Sequence, residues 1–160
     1  IVKKDKRSRP EMLEDYLISL VVQHENPKLI LEKCLTILKN YKFETVSYQK
    51  IIEHLSDYFK KNSLFKSSDF LNTLPKELAN SFDVAFLFPL PKFENSDKYE
   101  EEVRKVATEM RALFLKQRIK EISLNLTAEE KEEDLKKIAD LEQELALTIG
   151  LLGKHSSVVK

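Results

Sequence analysis

Three histidines, one cysteine and scattered acids are the side chains with which this chain could hold a metal, move a proton or attack a carbonyl, and their spacing argues against each use. The histidines are His24, His54 and His155, and none lies three or four residues from another. A helical metal site needs that interval to bring two rings onto one face. His24 falls on the apolar side of a helix near its C-terminal end, where the dipole favours a structural imidazole. Cys34 is flanked by Leu31, Leu35 and Leu38 at helical intervals, so it is expected to pack as a small buried hydrophobe and not to act as a nucleophile. An all-α hydrolase would use acids such as Glu14, Asp15, Glu53 and Asp57 with a divalent metal. The acids, however, stand beside Lys and Arg on charged helix faces, away from any apolar pocket that would raise a pKa. The expectation is no catalytic residue, no cofactor and no metal.

Two glycines among 160 residues, Gly150 and Gly153, narrow the chemistry further. Phosphate-cradling loops and nucleophile elbows need several glycines for positive φ and close backbone approach. None can therefore be written in the first 149 residues. Lys and Arg number 27, as do Asp and Glu, so no global field holds the protein on nucleic acid or on an anionic membrane. Local binding is left to the arm carrying Lys3, Lys4, Lys6, Arg7 and Arg9, read as a solvated linker with at most weak phosphate contact. A hydrophobic share of 42% is too high for a disordered chain, and the length suits one domain or a domain with an appendage. No uncharged run approaches the roughly 20 residues of a membrane helix. A single cysteine excludes an internal disulfide framework and a thiolate cluster, which fits a reducing compartment, so the cytoplasm is expected. The chain opens at Ile1 without a Met or an apolar signal core, so it is read as lacking a targeting peptide and as a piece of something longer.

The elements behind these residues are amphipathic helices. Leu13, Tyr16, Leu17, Leu20, Val21 and His24 form one face of a helix over about residues 11 to 24. Asn26 before Pro27 is an N-cap with proline at the first helical position. The second helix buries Ile30, Leu31, Cys34, Leu35 and Leu38 and stops at Asn40. Ser47 is read as the cap of a third, with Tyr48, Ile51, Ile52, Leu55, Tyr58 and Phe59 inward and Lys60 and Lys61 at its negative end. Ser67 or Ser68 opens a short turn carrying Phe70, Leu71 and Leu74, and Pro75 starts the next piece. Over residues 82–88 two periods compete. Leu78, Phe82, Ala85 and Phe86 follow helical spacing, while Phe82, Val84, Phe86 and Phe88 alternate as a strand would. Helix is favoured, because no other segment offers a strand for pairing.

From Ser96 to Leu124 there is no Pro or Gly, and Glu100–Arg104 and Glu101–Lys105 are i,i+4 pairs in the favourable order. One long helix follows. Its first half is apolar at Tyr99, Val103, Val106, Met110 and Leu113, its second at Leu115, Ile119, Ile122 and Leu126. Between Leu113 and Leu115 the stripe turns by about 200°, since each residue turns about 100°, so the helix is expected to change partner midway. Thr127, Ala128, Glu129 and Glu130 read as a capping box that starts another helix at once. That helix carries Leu135, Ile138, Leu141, Leu145, Ile149 and Leu152 on one side. So short a connection predicts an antiparallel hairpin, with Lys116, Arg118 and Lys120 beside Glu129, Glu130, Glu132 and Glu133. The expected organisation is all-α: an arm over 1–10, a helical bundle over 11–113, a hairpin over 114–153 and a tail over 154–160. A hairpin standing off a bundle leaves some of Leu141, Leu145, Leu147, Ile149, Leu151 and Leu152 uncovered, and of these Leu141, Leu145, Ile149 and Leu152 are the partner-binding candidates.

The first helix PEMLEDYLISLVVQHENP, the compact bundle, the long helix KYEEEVRKVATEMRALFLKQRIKEI and a terminal hairpin ending in LEQELALTIGLL together resemble the C-terminal domain of bacterial DnaG-type DNA primases, over about residues 10 to 152. The resemblance implies a non-catalytic interaction domain. In that family it docks, mainly through its hairpin, on the N-terminal domain of the replicative DnaB-type helicase, bringing primer synthesis to the replication fork within the primosome. Residues 1–10 would then be the end of the linker from the polymerase core. The family's zinc-binding module and its polymerase acids have no counterpart in this chain, so it alone is expected to synthesise no primer and to be a monomer. The alternative of like architecture is the N-terminal domain of a replicative helicase, or a helicase-loader-like adaptor, which would self-assemble.

Overall fold

The computed structural model describes residues 7–127 and 132–158, with side chains described through Gly153. Among these residues the chain is all-α, with seven helices and no strand. Of the basic arm, Lys3, Lys4 and Lys6 lie outside the described residues.

Helix α1 (Arg9–Gln23) begins earlier than its apolar face suggests, because Ser8 and Glu11 close a reciprocal capping box, with Pro10 in the first turn. The two ends of the arm that are described are not free cations. Arg7 pairs with Asp15 at 2.7 Å, and Arg9 pairs with Glu109 at 2.8 Å. Leu13, Leu17, Ile18, Leu20, Val21 and Val22 are all buried, so α1 is covered on more than the single face its spacing marks. It runs through the middle of the bundle, packed by α2, α5 and α6.

Helix α2 (Pro27–Ile37) starts as read, Asn26 accepting from the Leu29 N–H, and the chain turns beyond it at Asn40, which takes φ 58°. Asparagine tolerates that left-handed conformation better than most residues. Helix α3 (Val46–Lys61) corrects one expectation: Thr45, not Ser47, holds the cap position, and its side chain makes no cap hydrogen bond. The backbone N–H of Thr45 donates to a distant carboxylate, that of Glu14. Helices α4 (Ser67–Thr73) and α5 (Lys76–Leu87) settle residues 82–88. Phe82 and Ala85 are buried while Val84 and Phe86 are exposed, which is helical and not alternating burial. Phe88 leaves α5 in extended conformation, as Pro89 requires of its predecessor.

Helix α6 (Ser96–Leu126) is unbroken over 31 residues. Val103, Val106, Ala107 and Met110 belong to the bundle core; Ala112 and Leu115 are equally buried but lie outside that cluster. The change of partner thus falls where the stripe turns. Helix α7 (Glu132–Val158) is the second partner and packs along α6. Arg111 pairs with Glu144, and Arg104, Thr108, Glu144, Thr148 and Leu151 surround one cleft. The residue numbers rise on one helix as they fall on the other, so the two run antiparallel.

Three details differ from the sequence reading. The half-buried and buried positions of α7 are Asp134, Ile138, Leu141, Glu144, Leu145, Thr148 and Leu152, and all of them but Glu144 follow one line spaced four, three, four, three and four. That is the seam of an antiparallel coiled pair, and Leu135 and Ile149 fall off it. No ion pair forms among the described residues between Lys116, Arg118 or Lys120 and Glu132 or Glu133; the link between the helices is Arg111–Glu144. Thr127, expected to cap α7, donates its hydroxyl back to the Leu124 carbonyl of α6, and Ala128, Glu129 and Glu130 lie outside the described residues. No helix among the described residues is long and apolar enough to cross a membrane.

Candidate functional site

The acids singled out by the sequence do not meet. Glu53 and Asp57 lie on the exposed side of α3, whereas Glu14 and Asp15 lie within the bundle on α1. Among the described residues no cluster of His, Cys, Asp and Glu could hold a metal ion. Glu14 overturns the reading of its carboxylate as a solvated one, being 0% exposed. It accepts from the Tyr41 hydroxyl at 2.8 Å, from the Glu44 N–H at 2.8 Å and from the Thr45 N–H at 2.9 Å. A buried carboxylate with each oxygen occupied by donors is a structural anchor: it fixes the loop that delivers the chain into α3. Asp15 beside it accepts from the Tyr48 hydroxyl and pairs with Arg7.

The histidine and the cysteine are likewise structural. His24 packs against Tyr99 with ring centroids 4.7 Å apart and the rings tilted by 57°, and its Nδ1 accepts from the Asn26 N–H. Burial pushes the Cys34 thiol up to about 12, which leaves no thiolate for nucleophilic chemistry at neutral pH.

Burial, followed by the charge of Glu14 and the hydrogen bond to it, raises the Tyr41 phenol well above its ordinary value. Burial and the hydrogen bond to Asp15 do the same for Tyr48, and burial does so for Tyr99. Below a pH of about 10 these phenols are neutral in both folded and unfolded chains. Above it the unfolded chain ionises first, so the folded state loses stability as pH rises toward the folded values. The midpoint of guanidinium unfolding should therefore hold up to pH about 10 and fall progressively above it, and Tyr41→Phe should make the fall shallower. A midpoint independent of alkaline pH would contradict the burial of these hydroxyls.

What the surface offers is apolar. On α7, Leu147 is 65% exposed, Leu151 64% and Ile149 43%. Leu147 and Leu151 are one helical turn apart and share a face. Of the four candidates named from the sequence, Ile149 is on the outside, while Leu141, Leu145 and Leu152 are half-buried on the side toward α6. The misassignment has a simple cause. An apolar seam read by leucine content alone passes over Thr148, which is buried, and takes in Ile149, which is not. Other exposed apolar residues are Leu64, between α3 and α4, and Val84 and Leu87 on α5. Compared with protein families, with curated proteins and with solved structures, the chain has no match.

Proposed function

We propose that this chain is a non-catalytic protein-docking domain of the kind that ends DnaG-type primases, and that its partner is the N-terminal domain of a replicative DnaB-type helicase. The observation that supports the reading most is the division of labour along α6: its first half closes a bundle, and its second half carries an antiparallel helix with uncovered leucines outside. Leu147, Ile149 and Leu151 are the docking residues of this proposal, exposed as they are, and Leu141, Leu145 and Leu152 serve by holding α7 on α6. Helix-surface docking of this type works through a few apolar anchors within a charged rim. Nucleic acid has little to attract it on the described part of the arm, since Arg7 and Arg9 are already paired with acids.

The test is a pull-down with the helicase N-terminal domain. Leu147→Glu with Leu151→Glu should weaken binding by several hundredfold, at about 2 kcal/mol for each lost anchor and tenfold for every ~1.4 kcal/mol. Val84→Glu with Leu87→Glu, on α5, should leave it unchanged. Retention lost only with the α5 pair would move the docking face off α7. A chain that dimerises or forms rings alone by light scattering would instead fit the helicase N-terminal domain.

A further inference from the structure

The seam of α6 toward α7 does not begin at Leu115. Continued toward the N-terminus at the same intervals of four, three and four, it passes through Arg111, Thr108 and Arg104. The interface is therefore apolar toward the connection between the two helices and cationic where it reaches α2. There an open cleft of about 400 Å³ is bounded by Lys39 just past α2, by Arg104, Thr108 and Arg111, and by Glu144 and Leu151 of α7.

We propose that this cleft is a binding site for a single carboxylate on an apolar stem, such as the Glu or Asp side chain of an acidic, leucine-containing peptide segment. Charge is the first argument. Three cations face one carboxylate in a chain whose net charge is zero. Lys39 and Arg104 have no hydrogen bond or ion pair among the described residues, and neither does the Thr108 hydroxyl. The second argument is Arg111. Its side chain is only 8% exposed, Nη2 is engaged by Glu144, and Nη1 is buried with no acceptor. A buried guanidinium donor without an acceptor is a rare feature; the same guanidinium lies 5.8 Å from the Phe114 ring centroid, and its charge adds to that of Lys39 and Arg104 along the cleft.

The shape of the surroundings selects the kind of anion. Sites for phosphate draw on free backbone N–H groups at helix N-termini or in turns. This cleft lies against the middle of α6 and the late part of α7, and α2 meets it with its C-terminal end, whose partial negative charge disfavours a dianion more than a monoanion. Ile37 and Leu151 supply an apolar wall for a stem. The site stands on this geometry alone; that its peptide belongs to a docking partner rests on the function proposed above.

The experiment is an NMR titration of the isotope-labelled whole chain with three probes: the blocked peptide Leu-Glu-Leu, its Leu-Gln-Leu counterpart and inorganic phosphate. The Glu peptide should give saturable shifts at the amides of Lys39, Arg104, Thr108 and Thr148 and at the Arg111 side chain. The Gln peptide and phosphate should bind about tenfold more weakly or worse. Lys39→Gln with Arg104→Gln, both unpaired, should abolish the shifts without changing thermal unfolding. Equal shifts from the Gln peptide would make the cleft a merely apolar contact, tighter binding of phosphate would make it a phosphate site, and no saturable shift would make it empty; each overturns the proposal. A chain that ignores the helicase domain yet takes up the Glu peptide would retire the replication reading and leave the site standing.

Discussion

Replacing Glu14 by Gln should destabilise the protein almost as much as replacing it by Ala, at about 3 kcal/mol or more for either by chemical denaturation. The size follows from what converges on the carboxylate. Two backbone N–H groups and a phenol donate to it within 2.9 Å, and the side chain is fully buried. Hydrogen bonds to a charged acceptor contribute roughly 1.5–3 kcal/mol each, and a buried donor left unpaired costs about 1–3 kcal/mol. Alanine leaves three donors without an acceptor and opens a cavity. Glutamine keeps the shape but turns one oxygen into an NH₂ group that faces donors, so its isosteric fit brings little relief. A Glu14→Gln loss below about 1 kcal/mol would mean that solvent or another acceptor reaches these groups, and the carboxylate would not be the anchor of the segment leading into α3.

The segment around Glu14 also marks where sequence reasoning stops. In EMLEDYL the acid sits among other acids and one turn from Leu17, so its pattern is that of a solvated helix edge. Nothing local announces that the loop at Glu44 and Thr45 will lie across it, thirty residues on. The helices themselves were legible, because each is set by near-neighbour chemistry: Asn26 with Pro27 starts α2, Asn40 ends the turn after it, and the absence of Pro and Gly carries α6 through 31 residues. The Ser8–Glu11 capping box was equally local and was obscured by the cations around it, which suggested a free arm. Long-range partners such as Arg9 with Glu109 are beyond any local pattern.

The candidate docking face was legible in part, for a related reason. A change of stripe between Leu113 and Leu115 says that a second surface will cover the end of α6, and α7 is that surface. The register of α7, however, depends on which positions meet α6, and two of the six seam positions are polar, Asp134 and Thr148. Hydrophobicity alone therefore rotates the reading at both ends of the helix. Arg111 escaped notice in the same way. It lies one turn before Leu115 on the line of the second stripe, where a charged residue looks like the limit of an apolar face; paired with Glu144, it continues that face in another chemistry.

Phe82→Ala should be the most damaging single change in the bundle, at about 3–5 kcal/mol. The ring is fully buried and stands 5.3 Å from Phe70, 5.9 Å from Phe86 and 6.4 Å from Phe65 between centroids, in a cluster that Tyr58 and Phe59 complete. Offset and edge-on ring pairs of this kind add roughly 0.5–1.5 kcal/mol each beyond the area they bury. The neighbours have little freedom to refill the space. Phe70 is itself fully buried on a helix of seven residues, and the end of α5 is held by Gln23, whose side-chain amide donates to the carbonyls of Ala85 and Phe88. Against a total stability of about 5–15 kcal/mol, such a loss consumes much of the margin. The effect should also be local. Helix α5 packs on α1 and α3, and α4 meets α3 through Phe70 and Tyr58, whereas α7 packs on α6. Hydrogen exchange of the variant should accelerate first at the amides of α4 and α5 while the α6–α7 seam keeps its protection. Uniform acceleration over all seven helices would show that the bundle and the paired helices unfold as one unit, and a docking face on α7 could then not be separated, by mutation, from the stability of the core beneath it.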